Sequence, residues 1–181
     1  MAKTLIDTDT ATGTDATLGF TSGIDSTYKV YEFHFVNMHT VNNQVDFTVQ
    51  FNASGGSGFD EVIQSTTFQS QHGEGDGGGT VGYYSAYDQG QGTAYQALNY
   101  ETGYDADQSV SGILTLYDPS DPTFVKHFLI RLNRTQKDEY HMDTHVAGYI
   151  NTTSAIDEID FKFSGGEIQG GEIKMYGIAK S

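Results

Sequence analysis

His141, Asp143 and His145 alternate in the segment HMDTH, so on a β-strand all three would project from one face, as ligands of a divalent metal do. Zinc would need a fourth ligand or a water, and six His in 181 residues make such a spacing common, so the expectation is a solvated polar face with no metal. Asp7, Asp9 and Asp15 lie around Gly13 in DTDTATGTD, a composition suited to calcium because hard cations take clustered carboxylate oxygens. The EF-hand spacing is not met, and residues 1–15 are expected to form an acidic N-terminal arm. Asp157, Glu158 and Asp160 are close enough to serve as acid and base, but with 24 acids in the chain such pairs are unavoidable. The Ser in GGSGF (55–59) lacks a strand-to-helix context and reads as a Gly-Ser turn. No nucleophile, base and orienting group assemble, so the chain is expected not to be an enzyme and to carry no cofactor.

A second kind of chemistry is recognition. Residues 83–100, YYSAYDQGQGTAYQALNY, hold Tyr83, Tyr84, Tyr87, Tyr95 and Tyr100, with Asp88, Gln89 and Gln91 among them. Tyr joins a large apolar area to a hydroxyl at small rotamer cost, which suits interfaces and sugar-stacking platforms. The rings could equally cover the end of a hydrophobic core. The preceding HGEGDGGGTVG (72–82) is too glycine-rich to be expected as a strand, and a short helix is possible near 94–98. A Gly/Tyr-rich excursion over about 72–105 is therefore the expected contact surface for a partner or a glycan.

The elements that must position these residues are strands. In residues 44–51, QVDFTVQF, Val45, Phe47, Val49 and Phe51 alternate with Gln44, Asp46, Thr48 and Gln50, which predicts one buried and one wet face. In 28–36, Tyr31, Phe33 and Phe35 share one face, and the other is mixed. The Asn-Asn pair in the intervening NMHTVNN suggests a hairpin between the two strands. Further strands are expected at 61–70, 109–117, 123–133, 143–151, 157–163 and 171–178, with a weaker one at 16–20. In DEIDFKF, Ile159, Phe161 and Phe163 are expected to face the core, with Glu158, Asp160 and Lys162 outward. Both Pro fall in DPSDP, outside any strand, as a missing backbone N–H requires. The sum is an all-β fold: one antiparallel β-sandwich domain over 16–181, jelly-roll-like, with about eight to nine strands.

Composition narrows the partners. Twenty-four acids against nine Lys and Arg leave a formal charge of −15, which repels phosphate, so nucleic acid and anionic membrane are poor partners. With no Cys there is no disulfide or thiolate chemistry. No apolar run approaches the roughly 18 residues of a membrane-spanning helix, and the N-terminus lacks a signal-peptide core, so synthesis in a host cytoplasm without Sec export is expected. Asn52, Asn133 and Asn151 lie in sequons that are then expected to stay unmodified.

Three ordered stretches, TSGIDSTYKVYEFHFVNMH (21–39), FVKHFLIRLN (124–133) and VAGYINTTSAIDEIDFKFSGGEIQGGEIKMYGI (146–178), resemble a family of small virion proteins of marine tailed phages, including cyanophages. The likeness spans about residues 16–178 and is least over 71–105. It implies membership of a virion and supplies no catalytic residue. Acidic faces suit a particle in seawater, where salt screens repulsion to a few ångström. The expected role is thus a non-enzymatic structural protein on the outer surface of a virion, first as a capsid decoration or knob. The alternative is a tail fibre or receptor-binding component with a carbohydrate-binding jelly roll. Expected partners are other capsid or tail proteins, further copies of the chain through shared sheet edges, and a host surface glycan.

Overall fold

The computed structural model describes residues 2–179, which form thirteen strands. In chain order they are β1 (Lys3–Thr10), β2 (Leu18–Phe20), β3 (Val30–Thr40), β4 (Phe47–Ala53), β5 (Ile63–Gly73), β6 (Thr80–Tyr83) and β7 (Gly90–Gly92). These are followed by β8 (Gln96–Ala97), β9 (Val110–Tyr117), β10 (Lys126–Gln136), β11 (Tyr140–Ile150), β12 (Ile156–Phe163) and β13 (Ile168–Ile178). The fold is all-β and antiparallel. A large sheet of nine strands runs β1-β13-β3-β9-β10-β11-β5-β6, with β7 also on β5, and a small sheet of four runs β2-β12-β4-β8. The chain passes repeatedly from one sheet to the other, as a jelly-roll-like sandwich does.

Each of the nine expected strands is present, because period-two alternation identifies half-buried strands well. On β3, Tyr31, Phe33 and Phe35 are buried and the alternate side chains are not. The four further strands are short or polar. One of them, β1, corrects the expected arm: Lys3–Thr10 pairs along its length with β13, and the Asp9 carboxylate accepts the Gly19 N–H at 2.8 Å. The Thr and Asp side chains hide this strand from a hydrophobicity pattern, because it lies at a sheet edge and needs no apolar face. Likewise β6 places a strand inside the glycine-rich 72–82 segment, and β8 stands where a helix was possible.

The expected β3–β4 hairpin is also corrected. β3 pairs with β13 and β9 in the large sheet, whereas β4 pairs with β12 and β8 in the small one. The segment between them is a crossing over the end of the sandwich, turned by Gln44 in the left-handed region (φ 59°) and tied by the Val41 N–H to the Glu167 carbonyl at 3.2 Å. The Asn pair signals a turn, but a turn joins either two strands of one sheet or two sheets. Nearby, β3 and β13 carry facing irregularities, and Gly171 (φ 108°) is required there, since a Cβ would lie 2.7 Å from the Asn37 carbonyl oxygen.

The sheets meet in an aromatic core. The Phe161 ring of β12 lies 5.1 Å from Phe35 and 5.9 Å from Phe33 of the opposite sheet, and stacks at 6.0 Å on Phe47 beside it. It is fully buried. Phe161→Ala is expected to cost about 3–5 kcal/mol by opening a cavity in this cluster. Equilibrium urea unfolding measures it; a loss near zero would show that the two sheets do not rely on this ring.

Candidate functional site

The structure divides the tyrosine-rich segment into three places. Tyr83, on edge strand β6, is 66% exposed and donates its hydroxyl to Asp88. Tyr84, Tyr87 and Tyr100 form a ring cluster, with Tyr87 5.2 Å from Tyr100 and 6.5 Å from Tyr84. Tyr84 and Tyr87 lie close enough to act on the charge of Arg134, an inward-facing residue of β10 that is 1% exposed. Burial pulls the Arg134 guanidinium down to about 10, against the attraction of Asp46 and neighbouring groups, so it remains charged at neutral pH. Tyr95 lies on the outside of the small sheet, under Lys162 (Nζ 3.8 Å from the ring centre), and donates its hydroxyl to Asp160 at 2.7 Å. Gln89 turns inward, its amide 3.3 Å from the Ala94 carbonyl. These residues therefore do not form one platform.

Much of the segment instead covers the small sheet. Gln50 of β4, expected to be wet, is fully buried and donates to the carbonyls of Glu61, Thr93 and Ala94 at 3.0–3.1 Å. Gln96 accepts from the Ser65 hydroxyl at 2.6 Å, and Asn99 accepts the Phe47 N–H at 2.7 Å. The wet face of β4 is thus covered by the chain's own polar groups, and Gln50, Gln96 and Asn99 are paired there while the Oδ1 of Asn52 is left without a partner. Asp160, expected outward, is buried for the same reason, at 6% exposure.

His141, Asp143 and His145 do project from one face of β11, the outer face of the large sheet. Arg131 of β10 holds both oxygens of Asp143, Nε at 3.0 Å and Nη2 at 2.9 Å, and keeps its carboxyl below the usual range. His145 stacks on Phe68 at 4.7 Å, and His141 contacts Asn133. Among the described residues no group of three or more His, Cys, Asp or Glu is placed to hold a metal ion. Asp7 and Asp9 lie on β1, and Asp15 instead caps a turn, its carboxylate 2.9 Å from the Thr12 hydroxyl.

The outer face of the large sheet carries a feature that the chain order conceals. Ladder register aligns Thr66, Ala147, Leu129 and Thr115 in one row across β5, β11, β10 and β9. These short or apolar side chains are the floor of a groove. One wall is the row Gln64, Tyr149, His127 and Tyr117; the other is Phe68, His145, Arg131 and Ile113. Two hollows of about 510 Å³ and about 370 Å³ follow the floor on either side. Leu129 is 50% exposed and Phe68 49%, so an apolar surface stays open to water. At the rim, Gln91 of β7 (φ 61°) donates to Gln64 at 3.2 Å and to the Tyr149 hydroxyl at 3.3 Å, and accepts from Asn151 at 2.6 Å. The acids projecting from the outer face of β3, β11 and β13 are paired: Glu32 with Lys3, Asp143 with Arg131, Glu172 with Lys174. This face is charge-balanced in a chain of −15.

Of these groove residues the sequence singles out Gln91 at the rim and His145 of one wall, and not the floor or the other wall residues. The available signal was Leu129 and Ile113 at outward positions of strands whose inward positions are already apolar.

Comparison with protein-family models and with curated protein sequences finds no match to the chain.

Two measurements test this account. Burial raises the Asp160 carboxyl above its ordinary range, against the hydroxyls of Tyr95 and Thr17. Its ionisation therefore opposes folding: the cost is absent below the unfolded value of about 4 and is complete once the pH exceeds the raised folded value. Asp160→Asn, which keeps an acceptor for Tyr95, should raise Tm at pH 7 and leave it unchanged at pH 3; a pH-independent difference would show that Asp160 is not held under strain. Stoichiometric zinc should leave Tm unchanged at pH 7.5, because Arg131 occupies Asp143; a rise of several degrees that chelator reverses would restore the metal reading.

Proposed function

We propose that this chain is a non-enzymatic structural protein on the exterior of a phage virion. The observation that carries this reading is where the three resembling stretches lie in the fold. They supply β3 and its neighbour β13, most of β10 and the end of the adjacent β11, and β12 of the opposite sheet. The likeness therefore falls on strands of both layers, with β9 between β3 and β10, and β4 beside β12, outside it. A non-enzymatic role is supported by the use of two of the three candidate acid/base carboxylates in internal contacts, Glu158 with Asn52 and Asp160 with Tyr95.

A capsid decoration is the first position. Particle contact falls to the sheet edges, where β1 has a neighbour on one side alone and β6 exposes Val81 (78%) beside Tyr83. Sharing such edges would also build the homo-oligomer. The second reading, a receptor-binding component with a carbohydrate-binding sandwich, is favoured by the cross-strand groove. The two are compatible when a decorated surface presents that groove outward.

Electron cryomicroscopy and mass spectrometry of purified virions test the proposal. The protein should be found in fixed copy number at a symmetric outer position, many copies for a decoration and few for a fibre. Its absence from purified particles would overturn the virion reading.

A further inference from the structure

We propose that the groove on the outer face of the large sheet binds an extended, neutral glycan chain, an inference that rests on the receptor-binding reading. The walls lie four residues apart along each strand, as Tyr149 and His145 do on β11, so they are separated by about 13 Å between backbones. The space between is floored by Leu129 and Ala147, and admits a single polymer strand lying across the β-strands. Along that direction the sheet presents one wall side chain per strand, about every 4.8 Å, a repeat commensurate with the rings of an extended glycan.

The chemistry selects sugar over peptide. Backbone N–H and C=O groups lie in the plane of the sheet and are used by neighbouring strands, so a peptide lying across this face gains no ladder hydrogen bonds. Affinity there must come from ring faces and side-chain hydrogen bonds. Tyr149 and Tyr117 offer the rings, and the Gln91–Gln64–Asn151 amide cluster at the rim offers donors and acceptors to hydroxyls. Gln91 is held in the left-handed region to reach that rim, a conformation unfavourable for a side-chain-bearing residue. The charge pattern selects a neutral chain. Arg131 has its guanidinium taken by Asp143, and the rest of the molecule is strongly acidic, so a uronate or sulfated polymer meets repulsion with no unpaired Lys or Arg among the described residues that line the groove.

The test is calorimetric titration of the full chain with neutral hexaoses (cello-, laminari- and manno-series) and with an alginate hexaose, alongside a broad glycan array. At least one neutral hexaose should bind, with an affinity insensitive to salt, while the alginate does not. Tyr149→Ala and Tyr117→Ala should each weaken it about tenfold, equivalent to about 1.4 kcal/mol, and Leu129→Asp should abolish it. Tm confirms that each variant is folded; if Leu129→Asp does not fold, the two Tyr variants decide. Binding to the array that survives all three variants and is lost in Tyr95→Ala would overturn the groove and keep the receptor-binding reading. No binding to any glycan would overturn both. Preference for alginate would overturn the neutral assignment. A dimer that Leu129→Asp dissociates, with no sugar bound, would make this face a contact between copies of the chain.

Discussion

Nine strands face four, and that mismatch governs the rest of the molecule. A large sheet has two faces, and four strands cover only part of one. Under the small sheet the inward residues are apolar, Phe33, Phe35, Leu114 and Phe128 among them. Towards the far ends of β5, β10 and β11 the inward residues become Thr67, Gln69, Arg134 and Thr144, all buried. Polar groups there need partners or cover. Arg134 donates to the Thr144 hydroxyl at 2.9 Å while its Nε and Nη2 have no partner, and Tyr84 and Tyr87 of the long excursion lie close enough to act on its charge. The excursion exists in its place because the small sheet is too small.

The same segment also makes the small sheet viable. Strand β4 has polar residues on its second face, Thr48, Gln50 and Asn52, and all are buried. The excursion adds β8 beside it, while Gln50, Gln96 and Asn99 exchange hydrogen bonds with backbone and side chains. Side chains that look solvent-directed in the sequence are thus structural. The tyrosines divide accordingly, most of them spent on covering and Tyr83 left on the edge.

The uncovered face of the large sheet is where the proposed glycan contact falls. Its fixed charges cancel locally through Lys3–Glu32, Arg131–Asp143 and Lys174–Glu172, so the acidity of the chain lies elsewhere. A charge-balanced, ring-lined groove next to an acidic body fits the uncharged ligand proposed for it. The lone His141–Asp143–His145 alternation belongs to this face, with Asp143 locked to Arg131 across the strands.

The sequence by itself determined the fold class and nine of the strands, since alternation such as Val45, Phe47, Val49 and Phe51 is a local property of a pleated chain. It also determined the charge and the absence of thiol chemistry. Edge strands β1, β6, β7 and β8 were not legible, because an edge needs no apolar stripe and pairs through its backbone. Which sheet each strand joins was decided by tertiary structure: the same Asn-Asn turn signal serves a hairpin or the crossing that takes β3 and β4 into different layers. So was the groove. Tyr149, His127, Tyr117 and Leu129 lie on the consecutive strands β9, β10 and β11 and Phe68 on the distant β5, and ladder register across all four, a tertiary property, aligns them.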